Sequence, residues 1–141
     1  MFADHSKDEN YVPVLKQAYV SPEMLMTRLE ALIEQHYKEE KYPVFYADKL
    51  ACGVQKLNEI TKQHTQQTVF MLVQNRILLE SKRLLALGEL PVKFIAYELG
   101  FEYPSYFCRF FKKMTGVTPK GWRRGMSDFV ENCNYPSYQM I

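Results

Sequence analysis

No stretch of this 141-residue chain approaches the roughly eighteen consecutive apolar residues that a membrane-spanning helix needs. Its first residues, MFADHSKDENY, are polar and acidic and lack the charged-then-apolar order of a signal peptide. Cysteine is scarce: Cys52, Cys108 and Cys133 are odd in number and have no C-x-x-C spacing. That excludes a disulfide framework or a zinc site and fits reduced thiols in a cytoplasmic protein. His5, His36 and His64 are too scattered to ligate a metal. The chain has no Gly-rich phosphate loop and no nucleophile–base pairing, so no catalytic residue, cofactor or enzymatic role is expected. Nowhere do apolar residues alternate with the period of a strand, which leaves an all-α chain.

What is present is charge in one place. The net charge of +2 conceals −3 over residues 1–53, +7 over residues 54–125 and −2 over residues 126–141. A basic block inside an otherwise acidic chain is an electrostatic footprint for a polyanion.

Helix signals follow one another along the sequence. Ser21 suits an N-cap, with Pro22 at the first helical position and Glu23 in the first turn. Leu25, Leu29, Leu32, Ile33 and His36, three and four apart, predict a helix to about Tyr37 after a loose lead-in over residues 1–20. Pro43 opens a short helix through Val44, Phe45, Ala47, Leu50 and Ala51, closed by Gly53. The next, from about Val54 to His64, buries Val54, Leu57 and Ile60. The longest runs from Gln67 to Leu87 on a stripe of Val69, Leu72, Val73, Ile77, Leu84 and Leu85, with Gly88 as its C-terminal cap. Pro91 restarts the pattern with VKFIAYEL, stopped by Gly100. Pro104 begins a basic, aromatic helix ending at Gly116, and Thr118-Pro119 starts a last helix that carries Trp122 inward.

A repeat lies inside this order. Leu50-Ala51 and Leu99-Gly100 end short helices 49 positions apart; Leu57 then matches Phe107, Lys62 matches Lys112 and Thr65 matches Thr115 at a spacing of 50. The helix from Pro104 is apolar at Phe107, Phe110, Phe111 and Met114, and elsewhere carries Ser105, Tyr106, Arg109, Lys112 and Lys113. One face suits a core, the other a DNA major groove.

These residues also resemble a known family. IAYELGFEYPSYFCRFFKKMTGVTPKGWRR is similar to the signature of AraC/XylS transcriptional regulators, IAxxxGFxxxSYFxRxFKKxxGxTPxxYR. NRILLESKRLL resembles their linker helix, with Ser81 where Ala is usual, and the resemblance spans about Tyr42 to Arg124. It implies a homeodomain-like, all-α fold of two helix-turn-helix subdomains joined by a long linker helix, plus an N-terminal helix. The segments are then a lead-in and amphipathic helix at 1–40, a first helix-turn-helix at 41–66, the linker helix at 67–88, a second helix-turn-helix at 89–126 and a C-terminal tail at 127–141.

The function implied is sequence-specific binding of double-stranded DNA by a bacterial transcription regulator, reading two successive major-groove segments. Ser105, Tyr106 and Arg109 fall at positions that approach bases or nearby phosphates, with Lys112, Lys113 and Arg123 on phosphates. In the first unit the corresponding residues are Gln55, Lys56, Asn58, Glu59 and Lys62. That unit departs from the family pattern: Thr61 replaces the usual aromatic, Gln66 stands where a turn glycine is expected, and Glu59 puts a carboxylate among the readers.

Each signal has a plainer reading. Phe94, Phe101, Phe107, Phe110, Phe111 and Trp122 are expected to pack a core, with Phe101 filling the space between two helices, and not to stack on bases. Cys108 is expected to be a half-buried thiol, and Arg76 to make an ion pair. The alternative function is a helix-turn-helix module that contacts polymerase or a sensor partner. RNA polymerase and an N-terminal sensory or dimerising domain are the further partners the resemblance implies.

Overall fold

A computed structural model describes residues 20–133, with side chains through residue 126. Over these residues the order is α1 (Pro22–His36), α2 (Pro43–Lys49), α3 (Val54–Thr65), α4 (Val69–Leu87), α5 (Val92–Glu98), α6 (Pro104–Thr115) and α7 (Pro119–Cys133), with no strand. Most of the lead-in expected at residues 1–20 lies outside the described residues. α7 carries on as backbone helix beyond Met126, through residues 127–133. The chain divides into two compact units, residues 1–74 and 75–141, and the division falls inside α4.

In the first unit α1 packs on α2 and α3. The Ser21 hydroxyl accepts from the Met24 N–H at 3.2 Å, a cap of the kind that contributes about 1 kcal/mol. Leu25, Met26, Leu29 and Ile33 of α1 are buried with Tyr46 and Ala47 of α2, Leu57 of α3, and Val69 and Val73 of α4. Burial of each large side chain among them contributes roughly 1.5–3 kcal/mol. The Tyr46 hydroxyl donates to the Glu40 carbonyl at 2.6 Å, which fastens α2 to the segment before it. Burial and the nearby Glu40 and Glu39 carboxylates push this phenol up to about 12.

The turn between α2 and α3 does not close on Gly53. Ala51 takes the left-handed conformation, with φ of 56°, while Gly53 is extended and heads α3. α3 likewise ends on a left-handed residue, Gln66, with φ of 63°. A side chain in this region costs roughly 1–2 kcal/mol, so tight helix packing imposes both conformations against local preference. Buried Thr61, in place of an aromatic, donates its hydroxyl to the Asn58 carbonyl at 3.0 Å.

α4 begins two residues later than the expected start at Gln67, because the Thr68 hydroxyl caps the Met71 N–H at 3.2 Å. Leu72 is only half-buried. In the second unit Ile77, Leu84 and Leu85 of α4 join Ile95, Ala96 and Leu99 beside α5 and Phe107 and Phe111 of α6. Buried Ser81 donates to the Leu78 carbonyl at 2.7 Å, which satisfies the hydroxyl where alanine would need no partner. Arg76 lies 3.7 Å from Glu80, one turn along the same helix.

Not every expected core aromatic is inside. Phe107 and Phe111 are fully buried, and Phe101 rests on Phe107 and Phe110 with ring centroids 5.4 and 5.5 Å away. Trp122 is half-buried, edge-on to Phe111 at 6.0 Å. Phe94, by contrast, is 50% exposed. α5 is two turns long and buries only Ile95 and Ala96, so helical spacing alone overstated its apolar face.

Candidate nucleic-acid interface

α6 owes its two faces to simple spacing. Phe107 and Phe111, four apart, anchor the inner side, and Pro104 at the first position fixes the entry geometry. Ser105, Tyr106, Arg109, Lys112 and Lys113 are therefore all thrown outward, and all five are exposed. The Arg109 guanidinium lies over the Tyr106 ring at 5.2 Å, and Tyr106 meets Tyr103 edge-on at 5.2 Å. That stack narrows the rotamers of a long cation, so less entropy is lost when it engages a ligand. Lys112 and Lys113 sit in the last turn, where the helix dipole favours positive charge.

α3 presents the equivalent face. Gln55, Lys56, Glu59 and Lys62 are exposed, at positions matching Ser105, Tyr106, Arg109 and Lys112 fifty residues on. Gln63, the counterpart of Lys113, is exposed there too and escaped the sequence reading, although the repeat spacing points straight to it. The outward charge differs: Lys56, Glu59 and Lys62 leave α3 at +1, whereas Arg109, Lys112 and Lys113 give α6 +3.

Two of the expected readers are engaged inside the protein. The Asn58 carboxamide oxygen accepts from the Val69 N–H at 3.0 Å, satisfying an otherwise orphaned donor at the start of α4. Arg123 donates through Nε to the Leu85 carbonyl at 3.0 Å and through Nη2 to the Leu90 carbonyl at 2.7 Å. These partners lie on the scaffold and could not be read from a charge run. The half-buried Cys52 thiol beside α3 is pushed up by burial, an effect that nearby Lys56 only partly offsets. Among the described residues no cluster of three or more His, Cys, Asp or Glu could hold a metal, and no helix is long and apolar enough to cross a membrane.

Two helical units, each with an outward polar helix that follows a short helix across a tight turn, define a helix-turn-helix protein. A family profile described as "Helix-turn-helix domain" matches residues 46–125, more than half the chain. The chain belongs to this family, in its AraC/XylS form. It is 29% identical over 99 residues to the HTH-type transcriptional activator RhaR of Escherichia coli (strain K12), covering 70% of this chain and 34% of that protein. The chain thus spans about a third of the length of the curated relatives it matches.

Among solved structures, the C-terminal domain of the two-component response regulator yesN from Fusobacterium nucleatum superposes with a TM-score of 0.65 at 26% identity, over 70% of this chain and 96% of that one. The C-terminal domain of AraT, a response regulator from Geobacillus stearothermophilus, gives 0.67 at 26% identity, over 72% and 84%. The DNA-binding domain of AdpA, solved with a target DNA, shares the fold at a TM-score of 0.65 and 16% identity, over 78% of this chain and 96% of that one.

Proposed function

We propose that this chain binds double-stranded DNA sequence-specifically and regulates transcription, with α6 as the leading reader and α3 as the second. The observation that carries the reading is the outward face of α6, where three cations and two hydroxyl side chains are presented together by a rigid helix. Family membership supports it. Arg109, whose guanidinium lies over the Tyr106 ring, has the fork that suits a bidentate contact to guanine O6 and N7. Lys112 and Lys113 supply phosphate contacts, which position the helix without specifying sequence. On α3, Gln55 suits adenine, and Glu59 either accepts from cytosine N4 or repels phosphate. Asn58 and Arg123 act on the scaffold and stand outside this set. The reading is of a binding module and not of an enzyme, working in the cytoplasm with RNA polymerase as a further partner.

Affinity measured across salt concentrations and over a panel of singly substituted duplexes tests this. With about 5–7 phosphates contacted, log K against log salt should fall with a slope of about −4 to −6. Arg109→Ala should cost about 1–3 kcal/mol on the best site and relax preference at one or two base pairs. Lys112→Ala should weaken all duplexes alike and shallow the slope by about one unit. Glu59→Ala should cost little or tighten non-specific binding. A slope near zero on every duplex would sink the reading, and a larger loss from Glu59→Ala than from Arg109→Ala would reverse the ranking of the helices.

A further inference from the structure

The second half of α4 has an outward face that the proposed DNA contacts leave unexplained. Leu79 and Leu87 are 53% and 61% exposed, and both line a groove of about 520 Å³ whose other wall is Trp122 of α7. Leu79, Arg83 and Leu87 follow at spacings of four, the register of a face that accepts another helix. Large apolar side chains left in water around a concave surface mark a place where a partner sits.

The rim states what kind of partner. Arg76, Lys82 and Arg83 border the groove, and its one acid, Glu80, is buried. Glu80 accepts from Arg83 through both carboxylate oxygens, at 3.0 and 2.6 Å. Three cations against one carboxylate leave the groove net positive by two. We propose that it docks an acidic amphipathic helix of a partner protein, whose apolar residues seat on Leu79, Leu87 and Trp122 while its carboxylates meet Lys82 and Arg83. A nucleic acid backbone would match the cations but gains nothing from the apolar wall.

The groove holds its own reporter, since Trp122 is the only tryptophan in the chain. The full chain is titrated with a synthetic helical peptide of about five turns, leucines along one stripe and glutamates elsewhere, while tryptophan emission is followed. A second peptide keeps the leucines and replaces every glutamate with lysine. The expected result is a saturable blue shift with the glutamate peptide, at least about tenfold tighter than with the lysine peptide. Leu79→Ser with Leu87→Ser should weaken it by about tenfold or more, and both sites are exposed, so the fold, checked by circular dichroism, should persist. Lys82→Glu should move the preference toward the lysine peptide. No emission change, equal response to both peptides, or binding indifferent to the leucine substitutions would overturn the proposal. So would binding that Lys112→Ala abolishes, because the peptide would then be imitating DNA on α6. The proposal does not depend on DNA binding, and either reading can fail alone.

Discussion

In the first unit, helices of seven and twelve residues, Pro43–Lys49 and Val54–Thr65, follow each other across a left-handed Ala51. In the second, helices of the same two lengths, Val92–Glu98 and Pro104–Thr115, follow each other across a left-handed Gly100. The hydroxyls of Thr65 and Thr115 do the same work at their helix ends. Each donates to the carbonyl four residues back, at 2.7 and 2.9 Å, and accepts from the N–H two residues on, at 3.1 and 3.2 Å. Thr68 and Thr118 then cap the next helix in the same way.

Where the units differ, the difference obeys the hydrogen bonds. Val69 has an N–H to satisfy, and Asn58 satisfies it; Pro119, at the matching position, has none, and Cys108 stands in place of the asparagine. The outward faces follow no such rule and have diverged to +1 and +3. The threonine bonds at the helix ends are repeated in both units, while the outward face is free to change.

The comparison breaks most visibly in the cores. Phe111→Ala should cost about 3–5 kcal/mol, and Thr61→Ala, at the matching buried position, about 1 or less. Denaturant unfolding followed by circular dichroism measures both, and equal losses would mean that Thr61 holds as much packing as the ring. Alkaline pH gives the next effect. The Tyr46 phenol is raised from its ordinary 10 to about 12, so its contribution is complete below pH 10 and is lost as pH climbs toward 12. Between those values the parent should lose roughly 2–3 kcal/mol relative to Tyr46→Phe, read as the difference between their unfolding free energies at each pH. Ile95, the counterpart of Tyr46, gives the second unit no such dependence.

Smaller effects sharpen the comparison at the turns. Asn58→Ala should cost about 1–2 kcal/mol by orphaning the Val69 N–H, while Cys108→Ala should be nearly neutral; thermal unfolding of both variants shows whether proline has removed the need for a cap. Gln66→Gly should raise stability by about 0.5–1 kcal/mol, and Gly116→Ala should lower it by about 1. A Cβ on Gly116 meets nothing within 4 Å, so any loss there measures backbone strain and not collision.

The helices were legible because their boundary signals are local. Ser21-Pro22, Gly100 and Thr118-Pro119 act within one turn of themselves, and the structure uses each where its chemistry suggests. Left-handed Ala51 and Gln66 were not legible as such, since neither residue type favours that conformation and only the packed turn demands it. The α6 face was visible from spacing alone. The internal bonds of Asn58 and Arg123 were not legible because their partners lie 11, 33 and 38 positions away, beyond the reach of any periodicity. Phe94 was misjudged because spacing reports a stripe but not whether a neighbour covers it.

The Arg123 contacts carry a consequence for how this chain would be cut. Residues 86–91 are all exposed and include a glycine and a proline, the composition of a stretch that proteases nick. A protease must draw its target into an extended conformation, and here one guanidinium holds the carbonyls of Leu85 and Leu90 at either end. Extending the segment breaks both bonds, so α7 has to let go before the turn can enter an enzyme's cleft. Exposure alone makes this turn look like the weakest point of the second unit; its lifetime against digestion is set by a residue more than thirty positions downstream.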